Sequence, residues 1–142
     1  MKKSIFLLAA VTYVSFANAQ KVSEKEVPAV VKSTLQKEYP NAKNLKWDKE
    51  NNNYEAEFEM AKINYSVLID ASGKMIETEV EINIDKLPAN SKTYVTKNYP
   101  NKKIKEAAKI TDTKGTITYE VEIDGRDLIF DNSGKFLKEI KG

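Results

Sequence analysis

Three rows of glutamates are the residues whose type and spacing could do chemistry. Glu55, Glu57 and Glu59 alternate with Tyr54, Ala56, Phe58 and Met60. Glu77, Glu79 and Glu81 alternate with Ile76, Thr78, Val80 and Ile82, and Glu120 and Glu122 lie between Tyr119, Val121 and Ile123. A two-residue period marks a half-buried strand, so each row shares a face with neighbours about 6.6–6.8 Å apart. Glycoside hydrolysis uses carboxyl pairs about 5–9.5 Å apart, provided a cleft gives the two groups opposed environments. The commoner state of such rows is a solvated face of an antiparallel sheet, with lysines of neighbouring strands between them. That is the expectation here, and no catalytic residue is assigned. If the chain grips a partner, Glu55, Glu57, Glu77, Glu79, Glu120 and Glu122 are the residues to do it.

Absences narrow the chemistry further. The chain has no His and no Cys, which removes the usual general base, the usual zinc ligands and every Ser-His or Cys-His arrangement. Calcium, held by oxygens, is the one metal left to weigh. Asp70-Ala71-Ser72-Gly73 and Asp131-Asn132-Ser133-Gly134 offer oxygens but lack the run of acidic ligands and the distal Glu of a calcium loop. They read as turns in which Asp bonds the backbone and Gly takes positive φ. No metal and no cofactor are expected.

The chain opens Met1-Lys2-Lys3, continues with an apolar run from Ile5 to Phe16, and reaches Ala17-Asn18-Ala19. A basic start, a short apolar core and an A-x-A exit predict a cleavable secretory signal over residues 1–19, cut after Ala19. The run is shorter than the roughly 20 residues of a membrane-spanning helix. Without Lys2 and Lys3, 21 basic residues match 21 acidic ones. A neutral chain with Arg126 as its single arginine is a poor nucleic-acid binder. The place implied is the periplasm or the exterior, with no transmembrane segment after cleavage.

The positioning elements follow in order. Gln20 to Glu26 reads as a polar lead-in, with Ser23 and Glu26 in capping-box spacing. Val27, Val30, Val31, Leu35 and Tyr39 form a helical stripe that Pro40 stops, predicting a helix over about Pro28–Glu38. Leu45 and Trp47 share a face of a short strand; Trp47 is a core filler in this setting. The loop Asp48–Asn53 follows, where Asn51-Asn52-Asn53 favours a turn. Strands at 54–60, 63–69 and 75–84 complete one helix and four strands.

The chain then begins again. Val27-Pro28-Ala29 recurs as Leu87-Pro88-Ala89, and Tyr39-Pro40-Asn41 as Tyr99-Pro100-Asn101. Tyr54-Glu55 recurs at Tyr119-Glu120 and Asp70 at Asp131, with length changes confined to loops. Order kept across both halves argues duplication. Residues 20–86 form the first repeat and 87–142 the second, packed as one body. Asp124-Gly125 is the second hairpin turn. Asn90 and Ser91 stand where Val30 and Val31 stood, so the second helix, with Leu87, Tyr94, Val95 and Tyr99 as its apolar face, is the weaker copy. Lys102-Lys103-Ile104-Lys105 reads as a strand edge guarded by lysines.

These features together resemble the tandem PepSY-like, β-lactamase-inhibitor-like family: the Val/Leu-Pro helix heads, the Tyr-Pro tails, Trp47, Tyr54-Glu55-Ala56-Glu57-Phe58, the Asp-x-Ser-Gly-Lys turn and Glu77-Thr78-Glu79. The resemblance spans residues 22–141. It implies an α+β fold of two repeats, each one helix packed on a four-stranded antiparallel sheet, or one continuous eight-stranded sheet if the two merge. It implies binding rather than catalysis. No inhibitory contact residue matches this chain, so β-lactamase inhibition is fold-level analogy. The function expected is a secreted or periplasmic non-enzymatic binding module whose partner is a protein or peptide of the cell envelope. A carboxylate-based hydrolase and a self-associating envelope or stress protein are the alternatives.

Overall fold

The computed structural model describes residues 19–141. The predicted signal segment lies outside them, Ala19 excepted. Among the described residues the protein is mixed α/β, with two helices and nine antiparallel strands rather than the eight expected. No helix among them is long and apolar enough to cross a membrane. The chain divides into two compact units, with the boundary between Val80 and Glu81.

The first unit contains β1 (Gln20–Val22), α1 (Ala29–Glu38), β2 (Lys43–Glu50), β3 (Asn53–Met60), β4 (Ile63–Asp70) and most of β5 (Met75–Ile82). The extra strand is β1, where a polar lead-in was expected. Three residues are too few to show an alternation, but Lys21 stands opposite Asp48 and Val22 opposite Trp47. The Ser23–Glu26 box is real, yet it closes a 3-10 turn over Glu24–Glu26 instead of the helix. There the Glu26 carboxylate accepts from the Ser23 amide at 2.7 Å and its hydroxyl at 2.8 Å. The helix starts after Pro28, and Tyr39 leaves helical geometry at φ −130° ahead of Pro40, as the residue before a proline must.

Register fixes which residues share a face. Trp47, Ala56 and Val67 form one row across β2, β3 and β4. This row joins Val31 and Leu35 of α1 in a single core, together with Val27, Tyr54, Phe58 and Ile69. Trp47 is thus the core filler expected. Leu45 does not share its face: the register slips between Lys43 and Lys46, Asn44 takes φ 57°, and the bulge leaves Leu45 exposed. Val30, counted in the helical stripe, is also exposed. The strand expected to run to Ile84 ends at Ile82, and Ile84 enters a second 3-10 turn.

The second unit contains α2 (Ala89–Asn98), β6 (Glu106–Asp112), β7 (Ile117–Ile123), β8 (Arg126–Asp131) and β9 (Phe136–Lys141). Its core gathers Leu87, Val95, Ala107, Val121, Ile123, Leu128 and Phe130, with Ile82 and Tyr94 against it. The lysines at 102, 103 and 105 precede β6 rather than edge a strand. Lys102 pairs with Asp124 at 2.7 Å, while Ile104 packs on the core.

Both Ser-Gly turns are turns, and they are clamped to helices. Asp70 Oδ1 accepts from the Ser72 and Lys74 amides, and Asp131 Oδ1 from those of Ser133 and Lys135. The Thr34 hydroxyl donates to the Gly73 carbonyl at 2.7 Å, and the Asn90 amide to the Ser133 carbonyl at 3.1 Å.

Candidate functional site

The glutamates fall on the sheet face turned away from the apolar rows. In the first unit, Asp48, Glu55, Leu68 and Glu77 form one row across four strands, and Lys46, Glu57, Ser66 and Glu79 the next. In the second unit, Ala108, Glu120, Ile129 and Lys138 form one row, and Glu106, Glu122, Asp127 and Ile140 another. Both faces therefore alternate as the sequence predicts. Their environment does not.

The solvated-face expectation is overturned by burial. Glu55 is 2% exposed, Glu79 1%, Glu120 5% and Glu77 8%, with Ser66 and Asp127 buried beside them. Glu57 and Glu122 are half-buried. Apolar residues occupy the same faces: Leu68 in the first unit, and Ala108, Ile110 and Ile129 in the second, all buried. Alternation settles which face a side chain takes. What covers that face is a separate matter.

Among the described residues, Asp48, Glu55 and Glu57 form an acidic group, with a carboxyl oxygen of each within 4.8 Å of the others. Register explains it: Asp48 is directly opposite Glu55, and Glu57 is two residues along the same strand. Sequence reasoning left Asp48 in a loop. The signal was nonetheless available, because a turn centred between Asn51 and Asn52 pairs position 48 with position 55. The Ser66 hydroxyl donates to Glu55 Oε1 at 2.5 Å. Burial drives the Glu55 carboxyl up to about 8 against that hydrogen bond, with Glu50, Glu57 and Asp48 adding repulsion. Glu57 is also raised, chiefly by burial and then by Asp48, while Lys46 and Lys21 pull it back. Burial and Asp48 raise Glu50. In the second unit Asp127 is pushed up to about 6 by burial and by Glu122.

A protonated carboxylic acid beside ionised carboxylates is the electrostatic pattern of acid catalysis. A general acid must also come within hydrogen-bond reach of its substrate. Glu55 is closed in by the sheet and already holds the Ser66 hydroxyl. The three carboxyls have the oxygen chemistry of a hard cation site, but burial, which outweighs the Ser66 bond, favours a retained proton on Glu55 over ligation. Of the six expected partner residues, the first unit brings Glu55, Glu57, Glu77 and Glu79 onto two adjacent rows; Glu120 and Glu122 belong to the second unit.

Comparison with known proteins bears on what such a fold is. Among curated proteins none matches the chain. A putative periplasmic protein from Bacteroides eggerthii superposes with a TM-score of 0.73 at 15% identity, over 81% of this chain and 88% of that one. A DUF2874 family protein from Bacteroides uniformis gives 0.70 at 19% identity, over 80% and 88%. A BLIP-like protein from Bacteroides fragilis gives 0.63 at 25% identity, over 80% and 86%. The family described as putative beta-lactamase-inhibitor-like, PepSY-like matches this chain twice, at residues 13–77 and 65–138. With nearly the whole length covered by those two matches, the chain belongs to the PepSY-like, beta-lactamase-inhibitor-like family.

Proposed function

We propose that this protein is a secreted or periplasmic, non-enzymatic binding module made of two PepSY-like repeats, 20–86 and 87–142, freed by cleavage after Ala19. Its partner is a basic protein or peptide of the cell envelope. The observation that carries the reading is the face of the first unit bearing Asp48, Glu50, Glu55, Glu57, Glu77 and Glu79, shared with Lys21 and Lys46. Charge over the chain agrees: residues 20–80 carry eleven acids and nine lysines, and residues 81–142 ten acids and twelve basic groups. The half-buried Asp48, Glu50 and Glu57 would meet the partner first, with Glu55, Glu77 and Glu79 buried beneath them. Glu120 and Glu122 are the corresponding residues of the second unit. Steering by charge weakens with salt.

The test is affinity capture from the envelope fraction of the source organism, with residues 20–142 as bait and a Glu55→Gln, Glu57→Gln, Glu77→Gln, Glu79→Gln bait as control. A partner held by the first bait, lost by the control and weakened by salt supports the reading. Capture of the same proteins by both baits, or of none at any salt, overturns it.

A further inference from the structure

Equivalent places in the two units hold buried acids with different neighbours. Glu55 and Glu120 each follow a tyrosine, on β3 and β7, and both are buried. Glu57 stands opposite Ser66 and Glu122 opposite Asp127, so Ser66 and Asp127 are also equivalent, and both are buried. The first unit closes its buried carboxyl with a hydroxyl. The second sets Asp127 where that hydroxyl was.

An ionised carboxylate is costly in such a place unless cations compensate it. Asp48, with Glu50 and Lys46 to either side, faces Glu55 from β2, and Lys21 stands beyond on β1. Glu57 shares its strand, Ser66 and Leu68 face it from β4, and Glu77 and Glu79 follow on β5. Asp127 meets Glu122 and Glu120 on β7, with Glu106 beyond on β6; on β9 it meets Ile140 and, diagonally, Lys138. Each buried acid thus faces more acids than bases.

We infer that Glu55 and Asp127 are proton-linked fasteners, one per unit: each keeps its proton in the folded chain, and losing it as the pH rises loosens its own unit. Asp127 releases first, near pH 6, and Glu55 later, near pH 8, in both cases because burial raises the carboxyl. The sign follows from linkage: a carboxyl that binds its proton more tightly when folded makes stability fall as pH climbs from its unfolded to its folded value. The window runs from about pH 4 to 6 for Asp127 and from about 4.5 to 8 for Glu55.

Urea unfolding at pH 5, 7 and 9 tests this, with Trp47 fluorescence reading the first unit and circular dichroism the whole chain. The wild-type midpoint is expected to fall from pH 5 to pH 9. Glu55→Gln, which needs no proton, should match wild type at pH 5 and exceed its folding constant at pH 9 by at least about tenfold. Asp127→Asn should remove the earlier part of the loss and leave the Trp47 signal unchanged. A wild-type midpoint that holds or rises over this range overturns the inference, as does a Glu55→Gln profile parallel to wild type. Should a variant not fold, the wild-type profile decides alone.

Discussion

The two units solve one packing problem with exchanged volumes. In the first, Trp47 lies opposite Ala56; in the second, the same pair of positions holds Ala107 and Val121. Where the first core has Val27, Leu35, Phe58, Val67 and Ile69, the second has Leu87, Val95, Ile123, Leu128 and Phe130. Large and small change places while the rows remain. Cores tolerate such exchange when total volume and pattern are kept.

The helix ends diverge more. Tyr39 packs its ring against Phe58 at 4.9 Å and Tyr65 at 6.0 Å. Its counterpart Tyr99 donates its hydroxyl to Glu139 at 2.6 Å, and Arg126, in the place of Tyr65, binds the same carboxylate at 3.1 Å. One unit closes that corner with three aromatic rings, the other with a polar network. The lesson is that the two units share positions and differ in the type of interaction made there.

That contrast can be broken by mutation. Trp47→Ala should have the largest effect, about 3–5 kcal/mol as for other large core truncations, measured by urea unfolding; a cost below about 1 kcal/mol would mean the first core can collapse onto Ala56. Gly134→Ala comes next. A Cβ there would meet the Ser91 backbone nitrogen and Pro88 Cβ, both at 2.9 Å, at φ +86°. At Gly73 the nearest atom is the exposed Val30 Cγ2 at 2.8 Å, and the nearest backbone atom, the Val30 carbonyl oxygen, is farther off at 3.2 Å, so Gly73→Ala should cost less. Equal losses would show that positive φ alone sets the cost.

Ser91 is fully buried and donates to the Pro88 carbonyl at 2.6 Å. Ser91→Ala should destabilise by about 1 kcal/mol, a typical hydrogen bond. Smallest is the tyrosine pair. Tyr99→Phe should destabilise slightly and Tyr39→Phe hardly at all, because only the former uses its hydroxyl in the contacts described. The Tyr99 bond is the main cause that lowers the Glu139 carboxyl. Its stabilisation is therefore present above the ordinary glutamate range and lost as pH falls through the lowered value. Thermal melts of Tyr99→Phe should accordingly converge on wild type in acid.

Elements with their own punctuation were legible in the sequence. Tyr-Pro stops, Asn and Asp-Gly turns and Glu alternation located both helices, the hairpins and the faces, because each signal is local. The strand β1 was not legible, since its identity comes from pairing with residues 25–29 positions away. Leu45 was misplaced because a bulge at Asn44 breaks the period. The candidate site divided the same way: Glu55, Glu57, Glu77 and Glu79 were visible as a row. Asp48 required the hairpin register, and the burial of Glu55 depends on tertiary packing that no spacing encodes.

The buried, protonated Glu55 is what separates this account from an ordinary acidic sheet face. Carbon-13 detected titration of the glutamate side-chain carboxyls measures it directly. Glu55 is predicted to hold its proton at pH 7 and titrate near 8, while Glu26 and Glu139, both lowered by hydrogen bonds, are ionised well below that. A Glu55 midpoint in the ordinary glutamate range would contradict the account and return this face to solvent.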